Sequence, residues 1–342
     1  MIVNAFRLPD LFSLSSSFTP GFNPHYARAV TECRAWLVSR NVLGAQTEVI
    51  LVNGDMERLC AYSYPNAPYE QFRAISEFVC LLIVVDEVCD EKNDADAFKT
   101  GQSFLNALRD PMCDDDSALA QATREFREHM CSWLATDGWN RFVRVCESYI
   151  ACVVEEASLR ERGEVLSVKA YESVRRENSA VRPCAALMEF ALGISLPDHV
   201  FANEHFMTVY WTMVDMVCWA NDIYSYAVEY QKGLDGNNVL TVLMSDKSLE
   251  LQAASDYAGE HYKTLVRRHW AAREALAQQT FGSPEVDAQV ALVVEEMANW
   301  AIGNAVWSFE TRRYLGDDGP QVKESLRVVL KTRCSDEKRM PA

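Results

Sequence analysis

Apolar residues in this chain return every three to four positions over long stretches and almost nowhere alternate, which is the period of an amphipathic helix and not of a strand. The pattern predicts helices over residues 25–43, 48–60, 69–89 and 94–107. Pro111 and the run Asp114-Asp115-Asp116 then interrupt it. It resumes over 117–135 and 137–163, and a helix beginning at Ser167 carries through Ser179 towards Leu192. A second break at 193–197 precedes helices at 203–229, 248–279 and 284–314. Short Val/Ile-rich runs such as 81–85 lie inside longer helical patterns, so length decides for helix. The expected fold class is all-α, with ten or more helices packed around a central space. Residues 23–332 read as a single domain, 1–22 as an irregular segment with Pro9, a serine cluster and Pro20, and 333–342 as a charged tail prone to fray.

Composition narrows the classes. With 342 residues, 49% hydrophobic, only 14 Gly and 11 Pro, and no low-complexity linker, the chain can bury one large core. A net charge of −16 opposes electrostatic binding to nucleic acid or to an anionic membrane. The apolar run 78–85 is far short of the ~20 residues that span a bilayer. The first 22 residues contain Arg7 and Asp10 and lack the apolar core of a signal peptide. The 11 cysteines are odd in number, form no Cys-x-x-Cys and show no zinc-type spacing. Cys80, Cys89, Cys152, Cys184 and Cys218 lie in apolar helical stretches, where a free thiol behaves as a small hydrophobe. The expectation is a cytoplasmic protein in a reducing compartment, without stable membrane insertion, as monomer or homodimer.

Two oxygen-rich clusters interrupt this apolar background. In Asp86-Glu87-Val88-Cys89-Asp90 two aspartates stand four apart; in the stretch from Asn221 to Glu229, Asn221, Ser225 and Glu229 repeat that step twice. A four-residue step stacks side chains on one helix face. Hard oxygen ligands of this kind suit Mg²⁺, which commonly shares its shell between a few carboxylates and substrate phosphates. The bland reading of Asp86 and Asp90 is a solvated acidic helix end, continued by Glu91, Asp94 and Asp96. Acid at the negative end of a helix is, however, unfavourable unless a cation sits there. Asn221, Ser225 and Glu229 continue the face of Val214, Val217 and Cys218, so they point to the core, and buried polar groups need partners. The six histidines show no ligand spacing, and no glycine-rich phosphate loop occurs.

Taken with two further stretches, these clusters resemble class I terpene synthases, particularly the fungal sesquiterpene type. Asp86-Glu87-Val88-Cys89-Asp90 matches the family's aspartate-rich motif, with Glu87 at a tolerated variation, and Asn221-Asp222 through Ser225 and Glu229 matches its second metal motif, followed by the basic Lys232. Arg313-Tyr314 matches the C-terminal Arg-Tyr pair, and the stretch from Arg175 to Ala180 matches the diphosphate-sensing region. Of the adjacent arginines, the spacing to Ser179-Ala180 favours Arg176 over Arg175. The resemblance implies three Mg²⁺ ions held by Asp86, Asn221, Ser225 and Glu229, with Asp90 as a further ligand. It also implies diphosphate contacts from Arg176, Lys232, Arg313 and Tyr314, and an isoprenyl diphosphate substrate, farnesyl diphosphate. A 1,11-cyclising, protoilludene-like enzyme is one form of such a cyclase. Helical phase relative to the motifs puts Phe78, Ile83, Trp300 and Trp307 on the cavity wall. Two other readings stand beside the cyclase: a chain-elongating isoprenyl diphosphate synthase, whose second site is another aspartate-rich motif, and a helical binding protein without turnover.

Overall fold

The computed structural model describes residues 5–91, 94–133, 136–234 and 238–333, except for the side chains of 45–46, 87–91, 94–97, 157 and 160–161. The chain opens with β1 (Ala5–Arg7) and α1 (Leu11–Leu14), followed by α2 (Tyr26–Ser39), α3 (Ala45–Gly54), α4 (Met56–Ser63) and α5 (Tyr69–Glu91). Next come α6 (Asp94–Arg109), α7 (Ala118–Cys131), α8 (Thr136–Arg162), α9 (Val168–Asn178), α10 (Val181–Ala185), α11 (Met188–Leu192) and α12 (Asp198–Phe201). The last third holds α13 (Glu204–Lys232), α14 (Val239–Asp246), α15 (Leu251–Leu276), α16 (Pro284–Glu310), α17 (Arg312–Leu315), a 3₁₀ turn, α18 (Gly319–Ser325) and β2 (Arg327–Val329).

Side-chain caps set several of these starts. Asn203 accepts from the backbone N–H groups of His205 and Phe206 to open α13, and Ser117, Ser167 and Ser283 do the same for α7, α9 and α16. Each such cap contributes about 1 kcal/mol. Pro284 at the first turn of α16 removes an N–H that the helix could not use. The long helix α13 is buried continuously from Thr212 to Ala220 and packs along α15 and α16, while α16 packs along α4. The core therefore runs around α13 and α16, and α13 is the element that carries the second oxygen cluster.

Three expectations change. The segment 48–60, expected as one helix, is two: Asp55 takes a left-handed conformation (φ 46°) between α3 and α4. The break is held from α16, where the Trp307 indole N–H donates to the carbonyls of Gly54 (2.8 Å) and Asp55 (3.1 Å). The helix expected from 167 towards 192 is three, parted at Ala180 with φ 61° and ended at Gly193 with φ 65°. Lastly, the N-terminal segment expected to be irregular is an integral part of the fold. β1 pairs antiparallel with β2 (Phe6 opposite Val328), and Leu8, Leu11 and Phe18 are buried. Gly259 on α15 admits this segment, because a Cβ there would meet the Pro9 ring at 2.6 Å. Each buried apolar side chain contributes ~1.5–3 kcal/mol, which is ample to order a segment without helical periodicity.

Candidate active site

A cavity of about 370 Å³ opens among α3, α4, α5, α8, α9, α10, α13, α16 and α17. Its inner wall is apolar, with Met56 and Leu59 from α4, Val79, Leu82 and Ile83 from α5, Val217 from α13, and Trp300 and Trp307 from α16. Its polar side gathers Asp86 from α5, Asn221, Ser225 and Glu229 from α13, Lys232 at the end of α13, and Arg313 and Tyr314 from α17. The four-residue step on α13 delivers these three oxygen-bearing side chains to one face. Arg175 and Glu156 complete this side.

Asn221 is the hub. Its side-chain oxygen accepts from the Arg175 guanidinium at 2.7 Å, and its side-chain nitrogen donates to the Tyr314 hydroxyl at 2.6 Å. Arg175 also donates to Asp222 at 3.0 Å. Asp222, 2% exposed, turns away from the cavity to accept from Tyr171 and from the backbone N–H of Val239 (3.0 Å). The second motif thus ties α9, α13 and the start of α14 together through one carboxylate. Burial pushes the Asp222 carboxyl up, and the neighbouring Arg175 charge opposes it. Asn238, 1% exposed, donates to Glu229 at 2.9 Å and to the Asp222 carbonyl at 2.7 Å. Burial also raises the Glu229 carboxyl, with the Asp222 charge adding to it and Ser225 and Asn238 opposing. The Tyr314 hydroxyl is raised by burial against the lowering charge of Arg313, so it keeps its proton as a donor. Its ring meets Trp307 edge-on, centroids 5.5 Å apart.

Residues 77–268 match the family model "Terpene synthase family 2, C-terminal metal binding", a span that includes both oxygen clusters. "Bifunctional terpene synthase Agr4" of Cyclocybe aegerita is 44% identical over 328 residues, covering 96% of this chain and 94% of that protein. The chain belongs to the terpene synthase family. Another relative, "Sesquiterpene synthase Agr5" of the same fungus, is 35% identical over 95% of this chain and 76% of its own length. A Coprinopsis cinerea protein bearing the name "Linoleate 10R-lipoxygenase COP4" is also 44% identical, over 95% of this chain and 93% of its own. The fold matches the crystal structure of an a-eudesmol synthase with a TM-score of 0.76 at 16% identity, over 86% of this chain and 97% of that one. This is a class I terpene synthase of the all-α fold, and no helix among the described residues is long and apolar enough to cross a membrane.

Two expectations are corrected. Arg176 does not line the cavity: it forms a two-pronged ion pair with Asp215 (2.6 and 2.7 Å) and lies over the Trp211 ring. Arg175 occupies the cavity side instead, because one helical step turns the side chain by about 100°. Phe78 is not wall but deep core, stacked on Phe126 and edge-on to Phe142, each at 5.0 Å. Ile83, Trp300 and Trp307 line the cavity as expected. Asp90 falls in α5, but its side chain lies outside the described residues. Reading the sequence did not single out Asn238, Asn178 or Glu156. Asn238 could have been found as the cap before the apolar run Val239-Leu240, whose N–H it binds at 2.9 Å. The Asn178–Glu156 hydrogen bond, between two residues of the cavity lining, joins α9 to α8 and has no sequence signal.

The donor set suits a divalent hard cation. Carboxylate, amide and hydroxyl oxygens from two helices line one side of the cavity, and Glu229 is a carboxylate there whose charge burial disfavours. Positive charge beside it would relieve that penalty.

Proposed function

We propose that this synthase is a Mg²⁺-dependent sesquiterpene cyclase that ionises farnesyl diphosphate and closes the resulting carbocation within the apolar cavity. The observation that carries the reading is the division of one cavity into an oxygen-rich and cationic side and an apolar, aromatic side. Asp86, Asn221, Ser225 and Glu229 would hold the ions, three by family resemblance. Bound Mg²⁺ would supply charge to stabilise the leaving diphosphate. The chain's own donors to that anion are Arg175, Lys232, Arg313 and Tyr314. Arg175 and the Tyr314 hydroxyl both rest on Asn221. A ligand that engages Asn221 therefore bears on both donors at once, coupling ion binding to recognition of the diphosphate.

Beyond the anion, the wall excludes water and shapes the cation. Trp300 and Trp307 line this wall, and an aromatic face stabilises positive charge by ~0.5–2 kcal/mol. Among the described wall residues, Cys184 is raised by burial to about 12 and stays a neutral thiol.

Incubation of the purified protein with Mg²⁺ and farnesyl, geranyl or geranylgeranyl diphosphate, followed by analysis of volatiles, tests the reading. Cyclic C15 products from farnesyl diphosphate, abolished by EDTA, are expected. Elongated diphosphates would indicate a prenyltransferase, and failure to consume any of the three would leave the binding-protein reading.

A further inference from the structure

The helices that wall the cavity have a second meeting point behind it. Glu57 lies on α4 between the wall residues Met56 and Leu59, and Cys80 lies on α5 between Val79 and Leu82, yet neither faces the cavity. Both turn to the far side and meet Cys33 of α2. The two sulfurs are 3.9 Å apart, and the two sulfurs and a Glu57 oxygen all lie within 4.8 Å of one another. Cys33, Cys80 and Glu57 are 0%, 1% and 2% exposed. We infer that Cys33, Glu57 and Cys80 form a thiolate–carboxylate site for a thiophilic divalent cation, zinc being the best fit, distinct from the oxygen site in the cavity.

Three features support zinc. A tetrahedral ion with ~2.3 Å bonds to sulfur holds two sulfurs about 3.8 Å apart, close to the separation present. Charge closes as well. Two thiolates and a carboxylate carry three negative charges, which a divalent ion and one guanidinium cancel. Arg34 supplies the guanidinium, reaching the Glu57 oxygens at 3.1 and 3.4 Å; Asp55, which it also approaches at 3.6 Å, has its own closer partner in Arg58 at 2.8 Å. Ligand type then separates the two sites, since sulfur selects zinc while the all-oxygen set in the cavity selects magnesium. Binding would release the two thiol protons to solvent as the ion enters. Without an ion both thiols stay protonated: at Cys33 the hydrogen bond with Cys80 lowers the thiol but burial and the Glu57 charge outweigh it, and at Cys80 the Cys33 contact, burial and the Glu57 charge all push the thiol up. The bound ion would tie α2, α4 and α5 into one unit and so stiffen the apolar wall from behind. The three residues are more than twenty positions apart in sequence, which is why no zinc-type spacing announces them.

The site is buried, so loading belongs to folding, and the test is made on protein produced in zinc-supplemented medium and washed with EDTA. About one zinc per chain is expected, falling at least tenfold in Cys33→Ser and Cys80→Ser, which keep the helical circular dichroism of the parent. Cobalt-supplemented production of the unaltered chain gives an independent reading: a sulfur-to-cobalt charge-transfer band in the near ultraviolet, which an oxygen-only site cannot produce. Glu57→Gln should weaken retention of either metal while leaving both sulfurs in place. Unaltered protein without zinc and without that band overturns the site, as does zinc retained equally by both serine variants. Neither readout uses turnover, so the outcome is separate from that of the proposed cyclase.

Discussion

The polar and apolar sides of the cavity are built on opposite principles. On the polar side, the central groups are committed to named partners, Asn221 to Arg175 and Tyr314 and Glu229 to Asn238, with Asp222 behind them holding Tyr171, Arg175 and Val239. On the apolar side, position is fixed by packing, and the few polar anchors lie behind the surface, as where the Trp307 N–H holds the carbonyls at the α3–α4 break. A hydrogen-bonded network fails when one member is lost, because its partners stay buried and unpaired. A packed wall gives way gradually and changes shape before it fails. Chemistry that must switch on belongs on the first kind of surface, and selectivity on the second.

The largest effect should come from breaking the polar side at its hub. Asn221→Ala or Glu229→Ala should lower turnover by about a thousandfold or more while leaving circular dichroism unchanged, the scale on which aimed electrostatic groups act in catalysis. Either variant working at the parental rate with parental Mg²⁺ dependence would remove these residues from the ion-binding set. Next in size is the comparison of neighbours on α9. Arg175→Ala should cost about a hundredfold or more in turnover. Arg176→Ala should instead lower the unfolding midpoint, since it strands Asp215, and reduce turnover much less. Equal losses of turnover would show that both arginines serve the site.

Which of these features the sequence made legible follows the same division. Residues on a repeating step, such as Asn221, Ser225 and Glu229, are readable because helical period alone places them together. The choice between Arg175 and Arg176 was not, because it turns on the break after Asn178 and on which neighbour finds an acidic partner, Asp215 or Asp222. Phe78 shows the limit of phase: it shares a helix with the wall residues Val79, Leu82 and Ile83 but faces Phe126 and Phe142, and a core ring and a wall ring have the same composition. The ordered N-terminal segment depends on partners more than two hundred residues away, such as Ser15 with Tyr262 (2.9 Å) and Leu8 with Leu326 (2.7 Å), which local pattern cannot encode.

On the apolar side the expected effect is on product, not rate. Trp307→Phe keeps an aromatic face but removes the N–H that holds Gly54 and Asp55, so the wall residues Asn53 and Met56 on either side of the break should shift. The ratio of products from farnesyl diphosphate should change while turnover stays within about tenfold, given that a typical hydrogen bond contributes ~0.5–1.5 kcal/mol net. An unchanged product profile would mean that the break is fixed by the Thr311 hydroxyl, which binds the Asn53 and Gly54 carbonyls at 2.8 Å each.

The smallest effect on catalysis, and the clearest on stability, should come from Glu296, one turn before Trp300 on α16. It is fully buried, with the Asn66 and Asn299 amides for partners at 3.4 and 3.1 Å, and burial pushes its carboxyl up to about 7 from 4.5. Below pH 4.5 the group is protonated folded or unfolded and favours neither state. As pH rises from 4.5 to 7 it ionises first in the unfolded chain, which gains hydration that the folded chain cannot, so stability falls across that window and stays low above it. A shift of this size corresponds to ~3 kcal/mol at most. Glu296→Gln removes the titration, while the change in hydrogen bonding it brings is the same at every pH. Its unfolding free energy relative to the parent should therefore rise between pH 5 and pH 8, with product profile unchanged because the residue does not line the cavity. Denaturant titrations of both proteins across that range decide it. A difference that stays flat with pH would mean that Glu296 ionises as readily in the folded protein as outside it.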